Sequence, residues 1–383
     1  MNLPLRSGVI GMGMLGKGHS NYLQKNKDTS LIAAAEIRED AAQEAESHFK
    51  IKVYKDYREM LAKESLDLVV VATQDPLHKD PVVACAQAGV PYIVVEKPLA
   101  TTVEDGVEML SACQKAGSKL WVHFANRVVP LDIATRYIVQ AGLIGRPVYG
   151  EARLDDNISV PLRLWGERSR EWAASSSTAH FLLSHVSDSL RWFLEPAEVE
   201  AVYAITQHEV LGFSPDLFDA FLFFNNGMKV RVKSEWIRFM EPLVEYYICL
   251  NGDKGTIFYN KIPGFNVKEH SLQANFASGV SAEELLQHQG ELKRRGVHAH
   301  VVVRQPQVMV GGDLVPSLQM DASQPAATQL MDHIIASIKE DKPVPSTWEG
   351  NGGLPTGEDG LKQTKIVCAI IESSKSRREV AVQ

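Results

Sequence analysis

The chain has 383 residues, 45% of them hydrophobic, a formal net charge of −7 and four cysteines. That length suits two domains, and its scattered lysines and arginines form no basic stripe, which excludes nucleic acid as an expected partner. Cys85, Cys113, Cys249 and Cys368 lie far apart without a C-x-x-C pair, which argues for reduced thiols over a disulfide framework or zinc site; no apolar run approaches the ~18 residues of a membrane span, and Met1–Arg6 lead straight into a strand, so a cytoplasmic protein with no membrane association is expected.

The first expected strand, near 5–10, ends in Val9-Ile10 and runs into Gly11-Met12-Gly13-Met14-Leu15-Gly16 and a helix near 14–25. This is the spacing of a dinucleotide site. The first glycine permits the tight turn, the second lets backbone approach a pyrophosphate, and the third lets helix and strand pack closely. The phosphates then meet the open N–H groups of the helix start, at Met14, Leu15 and Gly16. A second buried strand near 31–36 ends in Glu36, whose carboxylate can accept hydrogen bonds from both ribose hydroxyls and so favours NAD. Arg38, two residues on, could instead meet a 2′-phosphate, which keeps NADP as the alternative.

Helices near 40–49, 78–88 and 103–116 alternate with strands near 67–73, 90–95 and 119–123. That alternation predicts a doubly wound parallel sheet covered on both faces. Ligands of such sheets bind outside the carboxyl ends of the strands. Two of those ends are Ala72-Thr73-Gln74-Asp75-Pro76-Leu77-His78 and Glu96-Lys97-Pro98, so Thr73, His78, Glu96 and Lys97 are expected to flank the nicotinamide. A lysine there can hold a substrate oxygen and stabilise charge developing on it.

After Pro130 the texture changes to a helix reaching Gln140, a turn at Gly142–Gly145, and strands near 148–154, 198–206, 217–225, 228–236, 244–250 and 255–260. Asn225-Asn226-Gly227 is a hairpin signal. A mostly antiparallel open sheet follows from this pattern, and its uncovered face is expected to meet another subunit. Within this half, the segment from Ser175 enters a helix that places His185 and Asp188 three apart on one face. Phe181, Leu182 and Leu190 would bury the other side. An imidazole titrating near 6.5 suits a group that takes a hydroxyl proton and returns it, although an isolated histidine on an apolar helix is more often a core residue. The loop 155–178 carries Arg163, Trp165, Arg168, Arg170 and Trp172: aromatic faces suit the C–H side of a sugar ring and arginines suit anionic oxygens. It reads equally as a substrate lid or as a surface or oligomer contact. Residues 262–324 contain one helix, opened by the capping box Ser281-Ala282-Glu283-Glu284, and His298-Ala299-His300, read as a strand with both imidazoles on one side. No third ligand is identifiable beside them, so no metal is expected. Helices near 326–340 and 358–375 close the chain.

Taken together, Gly11-x-Gly13-x-x-Gly16, the Ala72-Thr73 strand end, Glu96-Lys97-Pro98, Asn126-Arg127 with Pro130, Gly142-x-x-Gly145, His185-x-x-Asp188 and Gly357-Glu358-Asp359-Gly360 make the sequence resemble the glucose-fructose oxidoreductase, inositol dehydrogenase and MocA family, abbreviated Gfo/Idh/MocA. The resemblance runs nearly end to end. It implies an N-terminal Rossmann domain over 1–126, an α+β substrate-binding and oligomerisation domain over 127–383, and assembly as a homodimer or homotetramer. It implies Lys97 and His185 as catalytic residues and Asp188 as a substrate or orienting contact. Phe181 stands where sugar and cyclitol dehydrogenases of the family carry an aspartate, so either the substrate differs from a simple polyol or another group, such as His180 or Asp156, fills that role. The expected activity is hydride transfer between NAD(P) and a secondary alcohol of a sugar, sugar derivative or cyclitol. The alternatives are a redox-neutral glycosidase or epimerase and a non-enzymatic dinucleotide sensor.

Overall fold

A computed structural model describes residues 4–262, 271–277, 280–304, 315–321, 324 and 326–383. The chain folds as two compact units: Met1–Phe124 with Met331–Glu349 and Gly353–Cys368, and Ala125–Leu330 with Gly350–Gly352 and Ala369–Gln383. The sequence reading gave everything after residue 126 to a second domain, but the closing helices are divided between the two units. The physical reason is visible in local contacts: Thr364 donates to the Ala100 carbonyl and a Cβ on Gly360 would meet Val122 and Leu99, so this stretch packs on the first unit.

The first unit alternates β1 (Leu5–Ile10), α1 (Met14–Lys25), β2 (Thr29–Ala35), α2 (Glu39–Phe49), β3 (Lys52–Tyr54), α3 (Tyr57–Lys63), β4 (Leu68–Val71), α4 (Lys79–Gln87), β5 (Tyr92–Glu96), α5 (Val103–Ala116) and β6 (Lys119–His123). The strands are all parallel in the order β3-β2-β1-β4-β5-β6. Leu68, Val69, Val70 and Val71 are all fully buried, as a strand covered on both faces requires. The expected five strands are six. Lys52–Tyr54 is too short and too polar to show a strand pattern, and it is held by pairing with β2. Helix α3 was also not anticipated; it is capped by Asp56, which accepts from the Arg58 N–H.

The second unit begins with α6 (Pro130–Gln140) and β7 (Pro147–Asn157), then α7 (Ser159–Arg163), α8 (Ser169–Ser175) and α9 (Ser184–Leu194). The strands β8 (Val199–Gln207), β9 (Leu217–Phe224), β10 (Lys229–Arg238), β11 (Val244–Gly252), β12 (Gly255–Ile262) and β13 (Ser271–Phe276) follow, then α10 (Ala282–Arg294), β14 (His300–Arg304) and β15 (Val315–Asp321). After α11 (Leu330–Glu340) and α12 (Gly357–Ser376), β16 (Val380–Ala381) pairs with β8. These ten strands form one sheet, antiparallel except for the β7–β10 pair. The fold class is therefore α/β, with a Rossmann sheet followed by a large, mostly antiparallel sheet.

The two faces of this sheet differ along the registered rows. Ala204, Ala220, Val232, Ala152, Ile248, Tyr259, Leu272 and Met320 are cross-strand partners in sequence and all are buried. The adjacent row on the opposite face runs Tyr203, Phe221, Arg231, Glu151, Cys249 and Phe258, and three of its apolar members are exposed: Tyr203 41%, Phe221 37% and Phe258 44%. The segment 155–178, expected as a loop, is largely short helices. The strand bearing His300 starts at that residue, so His298 lies outside it and the two imidazoles do not share a strand face.

Candidate active site

The turn after β1 has the geometry its glycines demand. Gly11 has φ +91°, and a Cβ there would meet the Ala72 carbonyl oxygen at 2.7 Å; one on Gly16 would lie 1.8 Å from the Gly11 carbonyl oxygen. A side chain at Gly13 would meet nothing within 4 Å, which leaves open space beside the first turn of α1. That turn has no side-chain cap and no acidic residue, so its N–H groups remain available for phosphate oxygens. At the end of β2, Glu36 accepts from the Met12 N–H at 2.8 Å and, through its other oxygen, from the Arg38 N–H at 3.0 Å. Both oxygens are fixed while each keeps a lone pair for a ribose hydroxyl. The Arg38 guanidinium lies 3.3 Å from Asp40. These features fit a bound dinucleotide.

The strand ends differ from expectation. Thr73 donates to the Leu77 carbonyl and closes its own loop. His78, expected as a cofactor contact, is buried: Nδ1 lies 2.8 Å from the Pro98 carbonyl oxygen and Nε2 3.1 Å from that of Thr73, so its polar edge ties two loops together. Glu96 is likewise turned inward, and its Oε1 lies 2.7 Å from His19 Nε2 and 3.0 Å from His123 Nδ1. Burial pushes this carboxyl up, but His123 and His19 together hold it well below the ordinary carboxylate range; burial in turn lowers His19. The other oxygen accepts from the Lys97 N–H at 3.3 Å. Lys97 therefore follows an anchored strand end, with the Pro98 carbonyl held on its other side.

Among the described residues, His19, Glu96 and His123 are the group that brings three metal-ligand atoms within 4.8 Å of one another. Their 2.7 and 3.0 Å contacts are hydrogen-bond lengths, below the roughly 3.3 Å that separates ligands around tetrahedral zinc with bonds near 2.0 Å. The arrangement is that of ring N–H groups donating to a carboxylate. His19 carried a readable signal, three residues past Gly16 on the helix; His123 did not.

In the second unit, a π-helical turn over Ala179–Leu183 leads into α9. His185 is half-buried, with Nδ1 3.3 Å from Nδ2 of Asn126. Asp188, expected as a substrate or orienting contact, is 1% exposed. Its two oxygens accept from Arg127 Nε at 3.1 Å and Nη2 at 2.6 Å. This bidentate pair ties the helix to the turn that carries Arg127. A second buried pair lies in the same unit: Asp132 accepts from Lys261 at 2.7 Å and Tyr259 at 3.0 Å, and burial pushes Asp132 up and Lys261 down. Phe181 lies in an aromatic cluster, 4.8 Å from Trp172 and 6.1 Å from Trp165, whose rings also meet edge to face at 4.2 Å. Trp236 completes it and donates to Asp156 at 3.2 Å. Asp156 is thus buried under an indole, and the His180 ring contacts Ser177 Oγ at 2.9 Å. Arg163 is exposed at the end of α7.

Residues 5–124 match the family described as "Oxidoreductase family, NAD-binding Rossmann fold", and residues 133–258 match its "GFO/IDH/MocA C-terminal domain". The chain belongs to the Gfo/Idh/MocA family. Its first unit is an NAD-binding Rossmann domain. Similar curated proteins include inositol 2-dehydrogenase/D-chiro-inositol 3-dehydrogenase of Halalkalibacterium halodurans, 28% identical over 52% of this chain and 55% of that one. D-apiose dehydrogenase of Paraburkholderia graminis is 33% identical over 38% of this chain and 39% of its own. The matched stretches thus span about half or less of these relatives. Among solved structures, the WlbA dehydrogenase of Bordetella pertussis, crystallised with NADH and UDP-GlcNAcA, superposes with a TM-score of 0.76 at 21% identity, covering 100% of this chain and 99% of that one. That likeness is one of fold.

Proposed function

We propose that this protein is an NAD(P)-dependent oxidoreductase that interconverts a secondary alcohol and a carbonyl on a sugar, sugar derivative or cyclitol. NAD is the preferred coenzyme in this reading, because both Glu36 oxygens are pre-set by backbone N–H groups while Arg38 is drawn to Asp40. When bound, the nicotinamide supplies the hydride acceptor or donor. The chain's own work is at the substrate oxygen. Lys97 holds that oxygen as a cation, and His185 takes the hydroxyl proton on oxidation and returns it on reduction. The observation that carries the reading is the anchored Glu96-Lys97-Pro98 segment, fixed by Glu96 on one side and His78 on the other. Trp165 and Phe181 supply half-buried aromatic surface suited to the C–H side of a ring, and Arg163 an exposed cation for an acidic substituent. A second copy of the chain covers the row of Tyr203, Phe221 and Phe258, giving a homodimer or homotetramer in the cytoplasm.

Titration with NADH and NADPH, followed by NAD(P)+ reduction across sugars, sugar acids, phosphosugars and inositols, tests the proposal. Turnover on one compound class supports it. A redox-neutral glycosidase or epimerase is the alternative reading, for which substrate disappears without net NADH.

A further inference from the structure

Phe181 precedes His185 by four residues, in the position where the family resemblance expects a carboxylate, and its ring is packed among Trp165, Trp172 and Trp236. An imidazole that exchanges protons through one nitrogen needs its other nitrogen held, because that contact sets the tautomer and the direction of the ring. Here the held nitrogen is Nδ1, 3.3 Å from the Asn126 carboxamide. Asn126 lies in the 3₁₀ turn Ala125–Val128, and its neighbour Arg127 clamps Asp188, one helical turn beyond His185, in a pair that is 1% exposed on both sides. One short turn therefore grips α9 at two levels. Sliding α9 along this turn requires opening a buried bidentate ion pair.

We propose, resting on the reading of His185 as the acid–base group, that Asn126 is its positioning residue and takes the place of the carboxylate that Phe181 displaces. A carboxamide is uncharged and presents either an N–H or a carbonyl oxygen. With the NH2 group toward Nδ1, as the contact stands, Nδ1 accepts and the neutral ring carries its hydrogen on Nε2, from which it donates to a substrate oxygen. With the amide turned over, Oδ1 accepts from Nδ1–H and the Nε2 lone pair takes the hydroxyl proton, giving imidazolium; on reduction the same proton leaves Nε2 for the oxygen. Asn126 neither gains nor loses a proton in either direction. Its effect is on which nitrogen bears the hydrogen.

The test uses the full chain labelled with 15N-histidine, with the His185 signals identified by their loss in His185→Gln. In the wild type, the neutral ring is expected mainly as the Nε2–H tautomer. Asn126→Asp, which can only accept, should move the hydrogen to Nδ1. Asn126→Leu should lower kcat by at least about tenfold while the dissociation constant for NADH stays unchanged, and Asn126→Asp should recover part of that loss. Coincident ring signals in wild type and Asn126→Asp, or an unchanged kcat in a folded Asn126→Leu, would overturn the proposal. Should Asn126→Leu fail to fold, the Asn126→Asp spectrum decides alone. If His185→Gln keeps the wild-type rate, the acid–base reading of His185 fails, and the spectra still decide whether Asn126 holds the ring.

Discussion

Asp188→Asn separates an anchor from a substrate contact. The wild-type carboxylate is closed in a bidentate pair with Arg127, both 1% exposed, and Arg127 also lies 5.9 Å over the Trp192 ring. Asparagine keeps the volume but leaves the guanidinium as an uncompensated buried charge, so the loss should be about 3–5 kcal/mol of unfolding free energy, the range for breaking one side of a buried pair. Replacing both partners with apolar residues, Arg127→Met with Asp188→Leu, should recover most of that loss. Trp165, Trp172, Trp192 and Trp236 all belong to the second unit, so urea unfolding followed by tryptophan fluorescence reports mainly on this unit. NADH affinity, which belongs to the first unit, should stay within about twofold; a change near RT is the limit of such a comparison. A loss below about 1 kcal/mol combined with a many-fold rise in substrate KM would refute the argument and restore Asp188 as a substrate contact.

Gly13→Ala and Gly16→Ala should differ in kind. The first adds a Cβ in open space and should weaken NADH binding with little change in melting temperature, whereas the second drives a Cβ to 1.8 Å from the Gly11 carbonyl and should destabilise the unit itself; equal melting shifts would contradict this. Glu36→Ala should raise the NADH dissociation constant by roughly 10- to 100-fold, as the loss of two charge-assisted hydrogen bonds implies, and an unchanged titration would remove Glu36 from the ribose site. His185→Ala should lower kcat by about two to four powers of ten on whichever substrate is found, and a retained rate would take it out of the chemistry. For Asp155, burial beside Glu235, against the pull of Lys233 and Arg238, pushes the carboxyl up to about 6. The folded state then holds that proton more tightly than the unfolded chain, so its stabilising contribution is full below the unfolded value of 3.8, falls away as pH rises through about 6, and amounts to about 3 kcal/mol. Urea midpoints from pH 4 to 7 should fall less steeply in Asp155→Asn than in the wild type, and parallel curves would show that Asp155 does not titrate in this range.

The first unit was legible because its signals are local. A strand buried on both faces must be apolar throughout, as Leu68–Val71 is, and a loop that bends at φ +91° and packs a helix against a carbonyl must carry Gly11 and Gly16. The antiparallel sheet was legible for a similar reason, since alternate burial leaves its period in the residues of β8 to β12. Strand Lys52–Tyr54 was not, because three residues carry no period and their place is set by β2. Three of the expected site residues turn inward, and they have one feature in common. His78, Glu96 and Asp188 are polar residues at positions where ligands bind, and residue type does not show which way a polar side chain turns. That direction depends on partners 20 to 77 positions away in the chain: Pro98 for His78, His19 for Glu96, Arg127 for Asp188. Each inward-turned residue braces a neighbour: Glu96 and His78 fix the backbone on either side of Lys97, and Asp188 ties α9 to the turn that carries Asn126. Residues that bear chemistry and residues that aim them thus share motifs in the sequence, and only burial and partner geometry distinguish the two.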